Sequence, residues 1–169
     1  MSTNMGIVRA APTISFMTLT DVVYVDKDAV GANNGSSWAN AYTNMTNALA
    51  KCPSGIDMWV AEGVYTPGTA ASNIFVVSNN TIYGGFEGYG GLEETLLSQR
   101  NWTNNLTVLS GDLTGGNYAT NVIRKTVAGT FTLDGFTVRD GKATVYINYD
   151  YTRMGGGLYC NNGNVVLRN

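Results

Sequence analysis

"TFTLDGFTVRDG", residues 130–141, decides how this chain is read. Phe131 and Leu133 alternate with threonines, and so do Phe136 and Val138. That is the two-residue period of a strand with one apolar face. Between the two pairs the alternation slips. Asp134-Gly135 sits at the slip, and Asp-Gly is a turn dipeptide. The stretch therefore predicts two short strands joined by a tight corner, with Phe131, Leu133, Phe136 and Val138 pointing inward.

Similar pieces lie on both sides. They are "DVVYVDKD" (21–28), "IDMWVAEGVYT" (56–66), "NIFVVSNNTIYGGFEG" (73–88), "LTVLSGDLTGG" (106–116), "ATVYINYDY" (143–151) and "GGGLYCNNGNVVLRN" (155–169). Their centres, taken at Trp59, Ile82, Val108, Thr132 and Leu158, follow one another at steps of 23 to 26 residues. Short strands and turns at such an interval are a solenoid signature. The expected fold class is all-β, a parallel β-helix of about five to six coils with three short strands per coil. One segment has a helical pattern: Ala41, Tyr42, Met45, Ala48 and Leu49 recur at three- and four-residue spacing. Ser36 or Ser37 can cap it, so a short N-terminal capping helix is expected over about 36–50.

Composition fits strands and turns. The 169 residues include 21 Gly, 19 Asn and 20 Thr, and only 13% are charged. Thr favours strands, while Asn and Gly favour turns. With 44% hydrophobic residues the chain has ample material for a packed interior. Ten basic residues against twelve acidic ones give a net charge of −2, which argues against a nucleic-acid partner. No stretch approaches 18 apolar residues, so no membrane-spanning segment is expected. Histidine is absent, which removes the commonest general base and metal ligand. The start, "MSTNMGIVRAAPTISFMTLTD", lacks the basic and long apolar regions of a signal peptide. Cys52 and Cys160 read as two buried thiols, with a disulfide as the alternative outside the cell. Asn34, Asn44, Asn79, Asn101 and Asn105 stand in Asn-x-Ser/Thr sequons and are candidate glycosylation sites.

The motifs "YVDKDAVGANNGSSWANAYTNMTNALA", "MWVAEGVYTP", "IYGGFEGYGGLEETLLSQRNWTNNLTVLSGD", "LDGFTVRDG" and "GGGLYCNNGNVVLRN" occur in this order over about residues 23–169. Together they resemble the N-terminal part of secreted bacterial right-handed parallel β-helix proteins of the pectate-lyase-like superfamily. The glycine triplet with Leu158-Tyr159 is similar to the repeats of chlamydial polymorphic membrane proteins. The resemblance implies a right-handed β-helix over 23–169, an end covered by the helix, and an extracellular or cell-surface life, usually without assigned chemistry. It does not account for residues 1–22, which form an extension. Members of the family also run on for many more coils.

Enzymes of that superfamily cleave acidic polysaccharides. Lyases use clustered carboxylates around a cation with an Arg or Lys base, and hydrolases use paired carboxylates. The candidates are Asp112, Asp134, Asp140 and Asp150, with Arg124, Lys125, Arg139, Lys142 and Arg153. Asp112 and Asp134 are 22 residues apart, close to one coil. Each aspartate is nevertheless explained by a turn. The glycine-rich "GGFEGYGG" and "MGGGLY" lack a phosphate-binding pattern ahead of a helix, and Trp38, Trp59 and Trp102 read as packing residues rather than a sugar-stacking face. No catalytic residue, metal ligand or cofactor is assigned.

The last run, "VVLRN", carries no cap of its own, and an open sheet edge is a template for further strands. In the extension, Ile14 and Phe16 share one face, and Met17 and Leu19 continue in the opposite phase. The expectation is a non-enzymatic extracellular structural protein whose subunits join head to tail into a filament. Ile14, Phe16, Met17 and Leu19 of one copy would meet Val165, Val166 and Leu167 of the next. The alternatives are an adhesin or surface passenger fragment that binds glycans, and a polysaccharide lyase or hydrolase.

Overall fold

The computed structural model describes residues 22–113, 115–143 and 154–169. The expected strand at 144–151, the extension with Ile14, Phe16, Met17 and Leu19, and the candidates Asp150 and Arg153 lie outside the described residues.

Eleven short strands form three small parallel sheets. The largest contains β1 (Val23–Val25), β2 (Met58–Ala61), β5 (Thr81–Phe86), β8 (Thr130–Asp134) and β11 (Asn164–Arg168), side by side in that order. A second contains β3 (Gly63–Tyr65), β6 (Thr107–Ser110) and β9 (Phe136–Arg139); a third contains β4 (Phe75–Val77), β7 (Ile123–Lys125) and β10 (Leu158–Cys160). One α-helix, α1 (Met45–Lys51), packs on β4 and β1.

This corrects the expected fold class. An all-β, right-handed parallel β-helix of about five to six coils needs units some 24 residues apart to lie one above another. Only one step does so: Trp59 pairs with Tyr83. The next partner of Ile82 is Leu133, 51 positions on, and that of Leu133 is Leu167, 34 positions on. Val108 and Leu158, counted with Trp59, Ile82 and Thr132 as equivalent centres, sit in the second and third sheets. The described residues form three small sheets of unequal depth with a helix, an α/β-like arrangement rather than a regular solenoid. The physical reason is loop length. The excursions at 87–106 and 111–122 separate consecutive strands by unequal amounts, and spacing along the chain does not say which sheet a strand enters.

The helix is also shorter than expected and starts later. Asn44, not a serine, is its N-cap, and the Asn44 side chain accepts a hydrogen bond from the Asn47 N–H at 3.1 Å. Upstream, local side-chain bonds hold the chain in turns. Asn40 Oδ1 accepts from the Ala32 N–H, Asn33 Oδ1 from the Thr43 N–H and Ser37 Oγ from the Asn40 N–H. Such residues offer the backbone an alternative to the helical ladder. At the other end the Cys52 N–H reaches the Ala48 carbonyl, and Pro53 follows.

The strand pattern of 130–141 is realised as two strands meeting at Gly135, whose φ of 79° suits glycine. Phe131 and Leu133 are buried in the main core; Phe136 and Val138 pack against it. That core joins all three sheets and α1 through Val25, Met45, Met58, Phe75, Ile82, Leu109 and Ile123. A second cluster covers the outer face of the large sheet: Trp38, Trp59, Ala61 and Phe86, with Tyr24 and Tyr83 at its margin. Trp59 and Phe86 stack at 4.7 Å, and Tyr24 meets Trp38 edge-on at 4.8 Å.

Candidate functional site

Two columns of side chains run across the large sheet and define what its last strand presents. On the inner face Val23, Met58, Ile82, Leu133 and Leu167 stand in register on β1, β2, β5, β8 and β11. On the outer face the column reads Tyr24, Trp59, Tyr83, Asp134, Arg168. Ile82 is fully buried and Leu133 is 3% exposed, but Leu167 is 64% exposed. Leu167 has a strand beside it on one side only.

β9 and β10 are the corresponding outermost strands of the other two sheets. No described strand pairs with the outer edges of β9, β10 or β11. Leu133, Phe136, Val138, Leu167, Arg168 and Asn169 line a cavity of about 380 Å³ there. The opposite end differs. The free edge of β1 is bonded by the chain at 35–42: Tyr24 N–H donates to the Gly35 carbonyl, Tyr42 N–H to Tyr24, and Asp26 N–H to Tyr42. The helix lies over β4. The molecule thus has a covered near end and a far edge with exposed apolar side chains and unpaired backbone. Val165, Val166 and Leu167 lie together on that edge, as the sequence suggested.

A buried ion pair braces this edge from outside. Arg100 Nη2 lies 2.8 Å from Asp134 Oδ1, with the two side chains 8% and 5% exposed. Arg100 Nη1 donates to the carbonyls of Gly84 and Asp134, and its guanidinium lies between the rings of Tyr83, at 5.1 Å, and Trp102, at 4.8 Å. Asp134 Oδ1 also accepts from Asn169 Nδ2 at 2.8 Å. Sequence reasoning missed Arg100. It sits in a loop 34 residues from its partner, and no motif marks the pair.

The carboxylates weighed for catalysis do not converge. Asp134 ends β8 in the large sheet, whereas Asp112 follows β6 of the second sheet and bridges to Tyr118. Asp140 accepts from the Ser110 hydroxyl at 2.8 Å. Among the cations, Lys125 is fully buried and donates to the carbonyls of Ser78 and Val127 and to Asn79 Oδ1. Three donors meet three oxygens, which is the full complement of an ammonium group. Arg139 lies 3.3 Å from Asp140, Lys142 sits over the Tyr118 ring, and Arg124 is on β7 of the third sheet.

Two further carboxylates, unnoticed in the sequence, are almost wholly buried and hold a loop. Asp26 accepts from the Asp28 and Tyr89 amides at 2.9 and 2.7 Å. Glu94 accepts from the Glu87 and Gly88 amides at 2.7 and 3.2 Å. A Cβ on Gly88 would collide with Asp26 and Ala61, so this close approach needs glycine. Burial pushes the Asp26 carboxyl above its ordinary range, against the lowering effect of the two amides. Among the described residues no group of three or more His, Cys, Asp or Glu could hold a metal ion. No family model, curated protein or solved structure matches this chain.

The remaining sequence candidates are dispersed. Of the sequon asparagines, Asn44 caps the helix, Asn79 holds Lys125, and half-buried Asn105 donates to the Gly85 carbonyl. Asn34 and Asn101 are exposed. Both cysteines are free thiols, and neither is fully buried: Cys52 is half-buried and Cys160 exposed, which corrects the expected pair of core thiols. Burial, with a smaller contribution from Asp57, pushes the Cys52 thiol up to about 11. Trp38 and Trp59 are packing residues, while Trp102 is partly exposed over Arg100. Among the described residues no helix is long and apolar enough to cross a membrane.

Proposed function

We propose that this chain is a non-enzymatic structural protein of the cell surface or extracellular space that self-assembles head to tail. The observation behind this reading is the contrast between its two ends. One end is covered by the 35–42 segment and α1. The other offers three strand edges beside exposed Leu167 and the apolar cavity. An exposed edge next to apolar surface favours strand addition, in which backbone bonds supply affinity and side-chain pockets supply choice. The donor in this proposal is the 11–20 segment of a second copy, whose Ile14 and Phe16 share an apolar face. The contact is heterologous and does not close, so it grows a filament. The absence of histidine and the use of Asp26, Glu94, Asp134 and Asp140 as hydrogen-bond acceptors within the fold support a role without chemistry.

Electron microscopy and light scattering of residues 1–169 test the proposal. Rods that disappear on deletion of residues 1–20 are expected. Monodisperse monomers at micromolar concentration overturn it.

A further inference from the structure

The outer column of the large sheet ends in a charge that has a strand on one side only. Tyr24, Trp59 and Tyr83 are three aromatic neighbours, and Asp134 follows them. Asp134 is neutralised by Arg100 and bonded by Asn169. Arg168 comes next, in register with Asp134. Its side chain makes no ion pair among the described residues. Any strand that adds to β11 in the parallel register of the sheet places one side chain beside Arg168 and another beside Leu167. Directly opposed charges favour such a pairing and like charges oppose it. Leu167, for its part, is best covered by an apolar side chain, as Leu133 is covered by Leu167 itself.

We infer that the far edge selects an extended protein segment with the pattern apolar–x–apolar–acidic, its carboxylate beside Arg168 and its apolar residues beside Val165 and Leu167. β8 shows the pattern in use. Phe131, Thr132, Leu133 and Asp134 lie against Val165, Val166, Leu167 and Arg168 on the inner edge of the same strand. The inference deepens the strand-addition reading of the far edge and rests on it. It adds what chemistry the incoming strand carries.

The test uses two synthetic peptides, one with the sequence of residues 130–135 and one with lysine in place of its aspartate. Each is titrated by fluorescence anisotropy against the full chain and against Arg168→Glu. The full chain is expected to bind the acidic peptide about five- to tenfold more tightly than the lysine peptide, the scale of one favourable against one unfavourable exposed cross-strand charge. Arg168→Glu is expected to reverse the preference. Equal binding of the two peptides, or binding of neither, overturns the inference. A chain that forms rods yet shows no charge preference keeps the assembly proposal and loses this one. A chain that stays monomeric but prefers the acidic peptide does the opposite.

Discussion

Arg100 and Asp134 form a nearly solvent-free ion pair, 2.8 Å apart, between a loop and the end of β8. The pair ties the 87–106 excursion to the sheet. It also holds Asn169, because the same carboxylate oxygen accepts from the Asn169 amide. Four acceptor contacts and two flanking rings surround the guanidinium's end of this network, so removing either partner strands a buried charge. Arg100→Ala or Asp134→Asn is expected to lower unfolding stability by about 3–5 kcal/mol, read from urea midpoints at constant slope. Arg100→Met with Asp134→Leu should recover much of that loss, since an apolar pair leaves no orphaned charge. Single variants as stable as the parent would show that the pair is not desolvated in solution.

The Asn44 cap gives a smaller, local expectation. α1 has only seven residues and little intrinsic stability, so its start depends on the Asn44 side chain and on burial of Met45 and Ala48. Asn44→Ala should cost about 1 kcal/mol and Asn44→Asp much less, measured by thermal or urea unfolding. Equal stability of all three would remove the cap from the account.

Asp26 makes a pH prediction. Burial raises its folded-state carboxyl above the unfolded value of about 3.9. A raised value means that the folded chain holds the proton more tightly than the unfolded chain does. Its contribution is therefore fully present below the unfolded value and is lost as pH rises through the folded one. The stability of the parent relative to Asp26→Asn should be greater near pH 4 than near pH 7, in paired urea titrations. A difference that grows toward neutral pH would mean the Tyr89 and Asp28 amides outweigh burial.

The two thiols should be kinetically distinct. Cys160 is exposed, whereas Cys52 is half-buried with its thiol pushed up to about 11, and the thiolate is the reactive form. With a chromogenic disulfide reagent at neutral pH, one thiol should react rapidly in the native chain and the second only on unfolding. Cys160→Ser should abolish the fast phase. Fast reaction of both would mean that the segment around Cys52 opens readily.

Much of the local structure was legible in the sequence, and the long-range arrangement was not. The alternation in "TFTLDGFTVRDG" determined two strands, their inner faces and the glycine corner, because strand periodicity and turn chemistry act over two to four residues. The same local rules placed Trp38 and Trp59 in packing roles and put Val165 and Leu167 on one face. They failed where near neighbours compete, as in the helix start: the Asn and Ser side chains of 33–40 satisfy the backbone in turns and delay it to Met45. Regular spacing also misled. Five centres some 24 residues apart suggested equivalent units, but Val108 and Leu158 entered other sheets than Trp59, Ile82 and Thr132. Only the tertiary structure decided which strands became neighbours, which end was covered, and that Arg100 meets Asp134. Those outcomes depend on long loops bringing distant residues together, and the free energy of such contacts is a property of the packed chain rather than of any short window within it.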